Sequence, residues 1–242
     1  MSGPRIYLNQ PLSPSQDTEL DAQAVTHLVR VLRMKDGDAL RLFNGDGHEY
    51  PATLVITGKK TASARILDRS DEDATQPLSI HLGQVISKGD RMDFVLQKAT
   101  ELGVSEITPL ISERCDVRLN QERMEKKMEH WHKVITSACE QCGRNRLPQL
   151  HEPLSLQDWT AGTDAKSKFI LHPHNQQPLN TSEAPSSVAI LVGPEGGFSD
   201  TEVKLCEQQD FSGLLLGPRI LRTETAPLAA ISVMQFLWGD FR

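Results

Sequence analysis

Two stretches built on one plan decide the fold: "AILVGPEGGFSDTEV", Ala189 to Val203, and "GLLLGPRILRTETA", Gly213 to Ala226. Each begins with a short apolar run, typical of a strand buried on both faces of a parallel sheet, and then reaches Gly-Pro. Glycine allows another group to approach the backbone closely, and the residue before proline is held extended. Because ligands bind beyond the carboxyl ends of parallel strands, the two turns together predict a site for a flat, polar-edged small molecule.

The residues after each Gly-Pro turn predict the start of a helix. Ser199, with Glu202 three positions later, matches a capping box. After the second turn, Thr223 or Thr225 can cap the last helix, since Pro227 is tolerated in a first turn. Neither turn matches the Walker loop G-x-x-x-x-G-K-[ST] or the dinucleotide motif G-x-G-x-x-G. The main chain of the turns is therefore the predicted ligand contact.

The chain divides at an acidic segment that ends in proline. Residues 1–70 mix apolar and polar residues between Gly-Asp and Asn-Gly turns, which predicts a small antiparallel β-barrel. Its one predicted helix, "AQAVTHLVRVLRM", places Val25, Leu28, Val29 and Leu32 on one face. Residues 71–79 are the predicted linker. Residues 80–242 alternate short apolar strands with amphipathic helices, which predicts an α/β domain with a parallel sheet.

The composition restricts the class of protein. Of 242 residues, 38% are hydrophobic and 24% charged, without the apolar run of about 18 residues that a membrane helix needs. The first residues lack the pattern of a signal peptide, and four cysteines are too few for a disulfide framework, so we expect a cytoplasmic protein. Cys139-x-x-Cys142 has no second pair at zinc spacing, and no metal site is predicted. The net charge of −6 argues against a generic nucleic-acid binder.

The two Gly-Pro stretches resemble the C-terminal signatures of the ribosomal RNA small subunit methyltransferase E family, part of the knotted methyltransferase superfamily often called SPOUT. The similarity continues through "KGDRMDFVLQKATELGVSEITPLISER", "CEQCGR" and "HLVRVLRMKDGD", so it covers nearly the whole chain. It implies a C-terminal trefoil knot, a PUA-like RNA-binding barrel before it, and a homodimer. It also implies S-adenosylmethionine as cofactor and N3-methylation of a uridine, 1498 in the usual naming, in 16S rRNA of the small ribosomal subunit.

Two alternatives to this activity remain open from the sequence. The same fold can methylate another RNA position, because the knot recognises the cofactor and not the target. A non-catalytic RNA-binding assembly protein is the other. By motif position, the resemblance implies cofactor contacts in three loops: Leu171, His172, Pro173, Gly193, Pro194, Glu195, Gly196, Gly197, Leu216, Gly217, Leu221, Arg222, Thr225 and Ala226.

The chemistry of the implied reaction suggests two catalytic residues. Loss of the N3 proton places negative charge on the uracil oxygens O2 and O4, which a cation can stabilise. Arg222, beside the cofactor loop, is the candidate cation. Glu224 can position Arg222 or accept the proton, and the alternative for this pair is a salt bridge that only holds the loop.

Basic side chains are candidates for contacts with RNA phosphates. A solvated surface is the ordinary alternative for each of them. The candidates on the barrel are Arg5, Arg30, Arg33 and Lys35, and those near the knot are Lys88, Arg91, Arg114 and Arg144.

Overall fold

The computed structural model contains two compact units. It describes residues 3–71, 73, 76–115, 120–172, 176–179 and 183–241. The first unit comprises Met1–Thr75 with Cys139–Leu147, and the second comprises Gln76–Ala138 with Pro148–Arg242. The first unit thus includes a segment from far along the chain, which lies within the range 80–242 that the sequence assigned to the α/β domain.

In the residues that the structure describes, the first unit is built on a five-stranded sheet. In chain order its strands are β1 (Arg5–Tyr7), β2 (Asp17–Glu19), β3 (Ala39–Phe43), β4 (Tyr50–Ile56) and β5 (Ala62–Ile66). The spatial order is β1-β3-β4-β5-β2, and the pairs are antiparallel except for β1 with β3. The parallel β1–β3 pair departs from the antiparallel pattern expected from the sequence. Strand β2 was not predicted, because three residues with one buried side chain carry no periodic signal.

The helix predicted in the first unit has two different parts. A short α-helix, α1 (Ala22–Val25), is capped by Asp21, whose carboxylate accepts a hydrogen bond from a backbone N–H. A π-helical turn, Thr26–Val31, follows it and buries Leu28. A π-helix has more residues per turn than an α-helix, so side chains spaced for one face of an α-helix no longer lie on one face. The expectation that Leu32 lies on the buried face is therefore wrong, since it is 44% exposed.

The second unit, in its described part, is an eight-stranded parallel sheet with helices, which confirms the predicted α/β class. Its strands are β6 (Ser79–Val85), β7 (Glu106–Ile111), β8 (Gln149–Leu150), β9 (Leu154–Ser155), β10 (Ser167–Leu171), β11 (Gln176–Gln177), β12 (Ser187–Val192) and β13 (Ser212–Leu214). Its helices are α2 (Arg91–Glu101), α3 (Gln121–Cys142, which from Cys139 onward belongs to the first unit), α4 (Leu156–Gly162), α5 (Asp200–Gln208) and α6 (Ala226–Trp238). The spatial order is β11-β13-β10-β12-β6-β7-β8, and β9 pairs with β7.

The central strands of this sheet are covered on both faces. The side chains from Val188 to Val192 in β12 are buried without alternation, as a parallel sheet between helices requires. Helix α6 buries Ala230 and Met234, but Val233 and Phe236 remain 38% and 64% exposed. In the single chain, the face of α6 that carries Val233 and Phe236 is therefore not covered. Within the described residues, no helix is both long and apolar enough to cross a membrane.

Strand β7 offers a test of how strongly the sheet core stabilises the protein. Ile107 is fully buried, whereas Ile111 on the same strand is 47% exposed. We expect Ile107→Ala to lower the free energy of unfolding by about 2–5 kcal/mol, because it removes buried methyl groups and leaves a cavity. Ile111→Ala should change it by about 0.5 kcal/mol. Urea unfolding followed by circular dichroism measures both, and equal losses would contradict the assigned core.

Candidate functional site

Three neighbouring strands end at the same level of the sheet. Leu171, the last residue of β10, lies opposite Val192, the last residue of β12. Strand β13 pairs with the other side of β10, so β10 lies between the two strands that lead into the Gly-Pro turns. The loop that begins at His172 thus emerges between the turn at Gly193 and the turn at Gly217. The three predicted cofactor loops are therefore carried by adjacent strands.

A buried threonine joins the two Gly-Pro turns. The Thr223 hydroxyl donates a hydrogen bond of 2.6 Å to the Gly193 carbonyl and accepts one of 3.2 Å from Nε2 of Gln84 in β6. Both side chains are buried. Thr225 is the N-cap of α6, as one of the two expected residues, but neither threonine caps the helix through its side chain, because Thr225 forms no such bond and the Thr223 hydroxyl is already engaged. Sequence reasoning missed Gln84, although a glutamine in an apolar strand was a usable signal.

The turn after β12 is shaped by close packing and by the predicted capping box. A Cβ atom at Gly193 would lie 2.9 Å from the Phe198 ring, so only glycine fits there without displacing the ring. The Ser199 hydroxyl accepts a hydrogen bond from the Glu202 N–H, and the Glu202 carboxylate accepts one from the Ser199 N–H. The capping box is therefore confirmed, and it sets where α5 begins.

The segment after β7 holds this turn from another side. Nη1 of Arg114 donates hydrogen bonds to the carbonyls of Gly196 and Phe198 at 3.0 and 3.2 Å. The backbone N–H of Glu113 donates to the second oxygen of Glu202 at 2.8 Å. Arg114 was predicted to contact RNA, and in the structure its guanidinium shapes the glycine-rich turn.

A cleft of about 200 Å³ lies at the ends of β10 and β13. It brings together six of the predicted cofactor residues, namely Leu171, His172, Leu216, Gly217, Leu221 and Ala226. Its walls combine aliphatic side chains with accessible backbone around Gly217, which has a φ of +83° and open space where a side chain would point. Pro173 lies outside the described residues. Such a cleft can hold a flat ring between apolar walls and bind its polar edge through the main chain.

The two candidate catalytic residues do not contact each other. The carboxylate of Glu224 lies 3.8 Å from Nε of Arg91, and Arg222 is exposed without an ion pair to any residue that the structure describes. The Arg222 carbonyl accepts hydrogen bonds from Thr225 and Ala226, so the chain turns into α6 here. Side chains two residues apart in a helical turn do not face each other. The expectation that Glu224 positions Arg222 is therefore wrong.

Arg91 instead connects the two glycine-rich loops. Its Nη1 donates to Oε1 of Glu195 at 2.6 Å, while its Nε faces Glu224. An open cleft of about 570 Å³ is lined by this arginine and by Lys88, Gly89, Asp90, Phe94 and Glu224. Two residues predicted to contact RNA and one predicted to be catalytic thus line one cleft. The sequence carried no signal for the pairing of Arg91 with the two carboxylates.

The candidate RNA contacts in the first unit differ in exposure. The Arg5 side chain is 7% exposed and donates hydrogen bonds to Glu49, to the Arg144 carbonyl and to Oδ1 of Asn145. The expectation that Arg5 binds RNA phosphate is therefore wrong, because its charge is buried and already paired. Arg144 is half-buried, whereas three of the other candidates are exposed: Arg30, Arg33 and Lys35.

The Thr223 hydroxyl can be tested by exchange for a methyl group of nearly the same shape. We expect Thr223→Val to lower the free energy of unfolding by about 1–3 kcal/mol, because it removes the hydroxyl donor from the Gly193 carbonyl and leaves the Gln84 amide with only its hydrogen bond to the Val85 carbonyl. Thr223→Ser keeps the hydroxyl and should keep most of the stability. Denaturant unfolding and amide hydrogen exchange at both turns measure the effect, and equal behaviour of the two variants would exclude a role for the hydroxyl.

Comparison with known protein families gives two matches on this chain. The model of an RNA methyltransferase domain matches residues 74–235. The model of an RNA methyltransferase PUA domain matches residues 20–67. The first match covers the parallel sheet with its cleft, and the second lies within the antiparallel part of the first unit.

Relatives and solved structures agree with these matches. The ribosomal RNA small subunit methyltransferases E of Buchnera aphidicola and Bacillus subtilis are 38% and 31% identical, over 98% and 94% of this chain and 97% and 93% of theirs. A methyltransferase structure from Legionella pneumophila with bound S-adenosylmethionine is 45% identical, with a TM-score of 0.94 and 99% of each chain covered. The ribosomal RNA small subunit methyltransferase E from Neisseria gonorrhoeae, bound to S-adenosylmethionine, is 41% identical, with a TM-score of 0.91 over 99% of this chain and 100% of that one. This chain belongs to the ribosomal RNA small subunit methyltransferase E family.

Proposed function

We propose that this protein transfers a methyl group from S-adenosylmethionine to N3 of a uridine, 1498 in the usual naming, in 16S rRNA of the small ribosomal subunit. The observation that carries the proposal is the cleft between the loops that follow β10 and β13, beside the strand end that carries the Gly193 turn. Relatives with the same fold and over 40% identity hold S-adenosylmethionine. A ribosomal RNA substrate implies that the protein acts in the cytoplasm.

The cleft has the features that the cofactor requires. Leu216, Leu221 and Ala226 supply apolar surface for the adenine ring, and the backbone around Gly217 supplies donors and acceptors for its edge. The turn from Gly193 to Gly197 follows the neighbouring strand β12, where it can contact the remainder of the cofactor. The bound cofactor supplies a methyl group on a sulfonium, which is already a strong electrophile. The residues of the chain then have to align the attacking nitrogen and stabilise its negative charge.

A trefoil knot is part of the proposal. Between β12 and β13 the chain passes across β10, since β13 lies on the far side of that strand. It then returns to contact β6 and the end of β12 through Thr223. This return path supports a threaded chain of the SPOUT type, and threading would restrain both glycine-rich loops around the cofactor.

Arg222 and Glu224 are the proposed catalytic residues. The Arg222 guanidinium is exposed beside the cleft and free of ion pairs within the described chain, so it is available to the uracil oxygens that become negative. Glu224 does not position Arg222. Its proposed role is to accept the N3 proton of the uracil in the larger cleft, which Glu224 and Arg91 both line.

The RNA must present an unpaired base, because N3 lies on the Watson–Crick edge. We place the phosphate contacts on exposed and half-buried cations of the first unit and on cations near the glycine-rich loops of the second. The residues are Arg30, Arg33 and Lys35 in the first unit, with Arg144 beside Asn145, and Lys88, Arg91 and Arg114 in the second. The exposed apolar face of α6, with Val233 and Phe236, is the proposed contact surface of a homodimer.

The activity is tested with labelled S-adenosylmethionine and small subunits that lack the modification. Mapping the methylated nucleotide should show label at N3 of the single proposed uridine. Label at another nucleotide would instead support the same chemistry on a different RNA position. Stoichiometric cofactor binding without any transfer would support a non-catalytic assembly protein.

Arg222 is tested by separating turnover from cofactor binding. We expect Arg222→Ala to lower kcat by about 100- to 1,000-fold, as the loss of one oxyanion-stabilising group does elsewhere, with a much smaller change in cofactor Kd. Arg222→Lys keeps the charge and should recover part of the rate. Single-turnover methylation and isothermal titration calorimetry give the two quantities. Equal losses of rate and affinity would make Arg222 a binding residue.

The first unit is tested for RNA binding by reversing two exposed charges. We expect Arg30→Glu with Arg33→Glu to weaken RNA binding and to make it less dependent on salt. The slope of log K against log salt should decrease by about 0.7 for each phosphate that the protein no longer neutralises. Lys59→Glu with Lys60→Glu makes the same change in charge at an exposed turn of the same unit and is the control. Filter binding across salt concentrations measures the slope. Identical slopes for the double variant and the unmodified protein would show that Arg30 and Arg33 do not contact RNA phosphates.

A further inference from the structure

A second cluster of polar side chains lies at the opposite, amino-terminal edge of the parallel sheet. His81 in β6 is the register partner of Glu106, the first residue of β7. The backbone N–H of His151 donates to the Ile107 carbonyl, which places this histidine beside the start of β7. One candidate ligand atom from each of the three side chains lies within 4.8 Å of the other two. The proposed cofactor loops occupy the carboxyl edge, so this cluster has no part in the function proposed above.

We propose that His81, Glu106 and His151 form a binding site for a divalent transition-metal ion of the Zn²⁺ type. Two imidazole nitrogens and one carboxylate oxygen are a donor set found in three-ligand zinc sites, in which water takes the fourth position. Hard cations such as Mg²⁺ and Ca²⁺ prefer ligand sets made of oxygen atoms. The chemistry of the three side chains therefore selects the class of ion.

One pair of ligand atoms is close to the spacing that such an ion requires, and the other two pairs are separated by no more than 4.8 Å. Nε2 of His151 lies 2.7 Å from Oε2 of Glu106. Tetrahedral zinc with bonds of about 2.0–2.1 Å would place two ligand atoms about 3.3 Å apart, so this pair needs to separate by only about 0.6 Å. The adjoining cavity of about 360 Å³, also lined by Thr108 and Asp158, has room for a water ligand.

The surroundings of His81 leave a lone pair on one ring nitrogen. The Trp159 indole N–H, which can only donate, forms a 3.2 Å hydrogen bond to Nε2 of His81. The Thr108 hydroxyl oxygen lies 2.8 Å from the same nitrogen. Because Nε2 accepts the hydrogen bond from the indole, it carries a lone pair and no proton, as a metal-binding nitrogen must. This lone pair now accepts the Trp159 hydrogen bond, so an ion that binds Nε2 has to displace the indole N–H.

Trp159 can approach His81 because the residue two positions further along β6 is Gly83, which has no side chain. A Cβ atom at Gly83 would lie 2.6 Å from the Trp159 ring. The ring therefore sits directly on β6, edge-to-face with His81 at 5.2 Å between ring centroids. This packing limits the movement of His81, and a ligand held in one orientation loses less entropy when it binds an ion.

The proposal is tested on the full chain after removal of any histidine tag and of bound metal. Calorimetric titration with ZnCl₂ should show one ion per chain, and Zn²⁺ should raise the thermal midpoint of unfolding. Glu106→Gln, which keeps the shape of the side chain, and His151→Ala should each weaken binding by about tenfold or more. Co²⁺ titration adds a spectroscopic readout, because visible absorption of tetrahedral cobalt requires the assembled ligand set.

His130 offers a matched control for a histidine paired with a carboxylate. Its Nε2 lies 2.6 Å from Oδ2 of Asp93, and the described chain has no third ligand beside this pair. We expect His130→Ala to leave zinc affinity and stoichiometry unchanged. Absence of stoichiometric binding to the unmodified chain would overturn the proposal. Unchanged affinity in folded Glu106→Gln would overturn it equally, and the cluster would then be an ordinary histidine–carboxylate pair.

Discussion

The hydrogen bond from the Thr223 hydroxyl to the Gly193 carbonyl is the contact on which the arrangement of the cleft depends. Strands β12 and β13 are not neighbours, so sheet pairing alone does not bring their turns together. Thr223 supplies that connection, and Gln84 extends it to β6. Because all three groups are buried, breaking the contact would leave polar atoms unpaired in an apolar environment. The geometry of both loops is thus restrained before any ligand arrives.

Hydrogen bonds and ion pairs of two arginines reinforce this restraint. Arginines near the cofactor cleft can therefore hold a loop in place as well as bind RNA. Arg91 holds Glu195 from the first loop and faces Glu224 from the second, and Arg114 binds two carbonyls of the glycine-rich turn. A guanidinium presents five N–H groups in a fixed plane, so an arginine can shape a loop and still face a phosphate. Arg222 differs from these two because its exposed guanidinium forms no ion pair with any residue that the structure describes.

The two edges of the parallel sheet are chemically different. The carboxyl edge carries glycine-rich turns and exposed backbone, which suit a small organic ligand. The amino edge places His81, Glu106 and His151 together through strand register and one backbone hydrogen bond. The sequence predicted no metal site, because these residues are separated by whole strands and helices and match no short ligand spacing. Register in the folded sheet is what makes them neighbours.

The sequence by itself determined the alternation of strands and helices, the paired Gly-Pro turns and the capping box at Ser199, because each depends on residues a few positions apart. Only the tertiary structure decided the burial of Arg5, the pairing of Glu224 with Arg91 and the link from Thr223 to Gln84. Arg5 meets Asn145 across 140 positions, and Thr223 meets Gln84 across 139. Side-chain contacts at such separations depend on strand order and packing, and no local pattern encodes them.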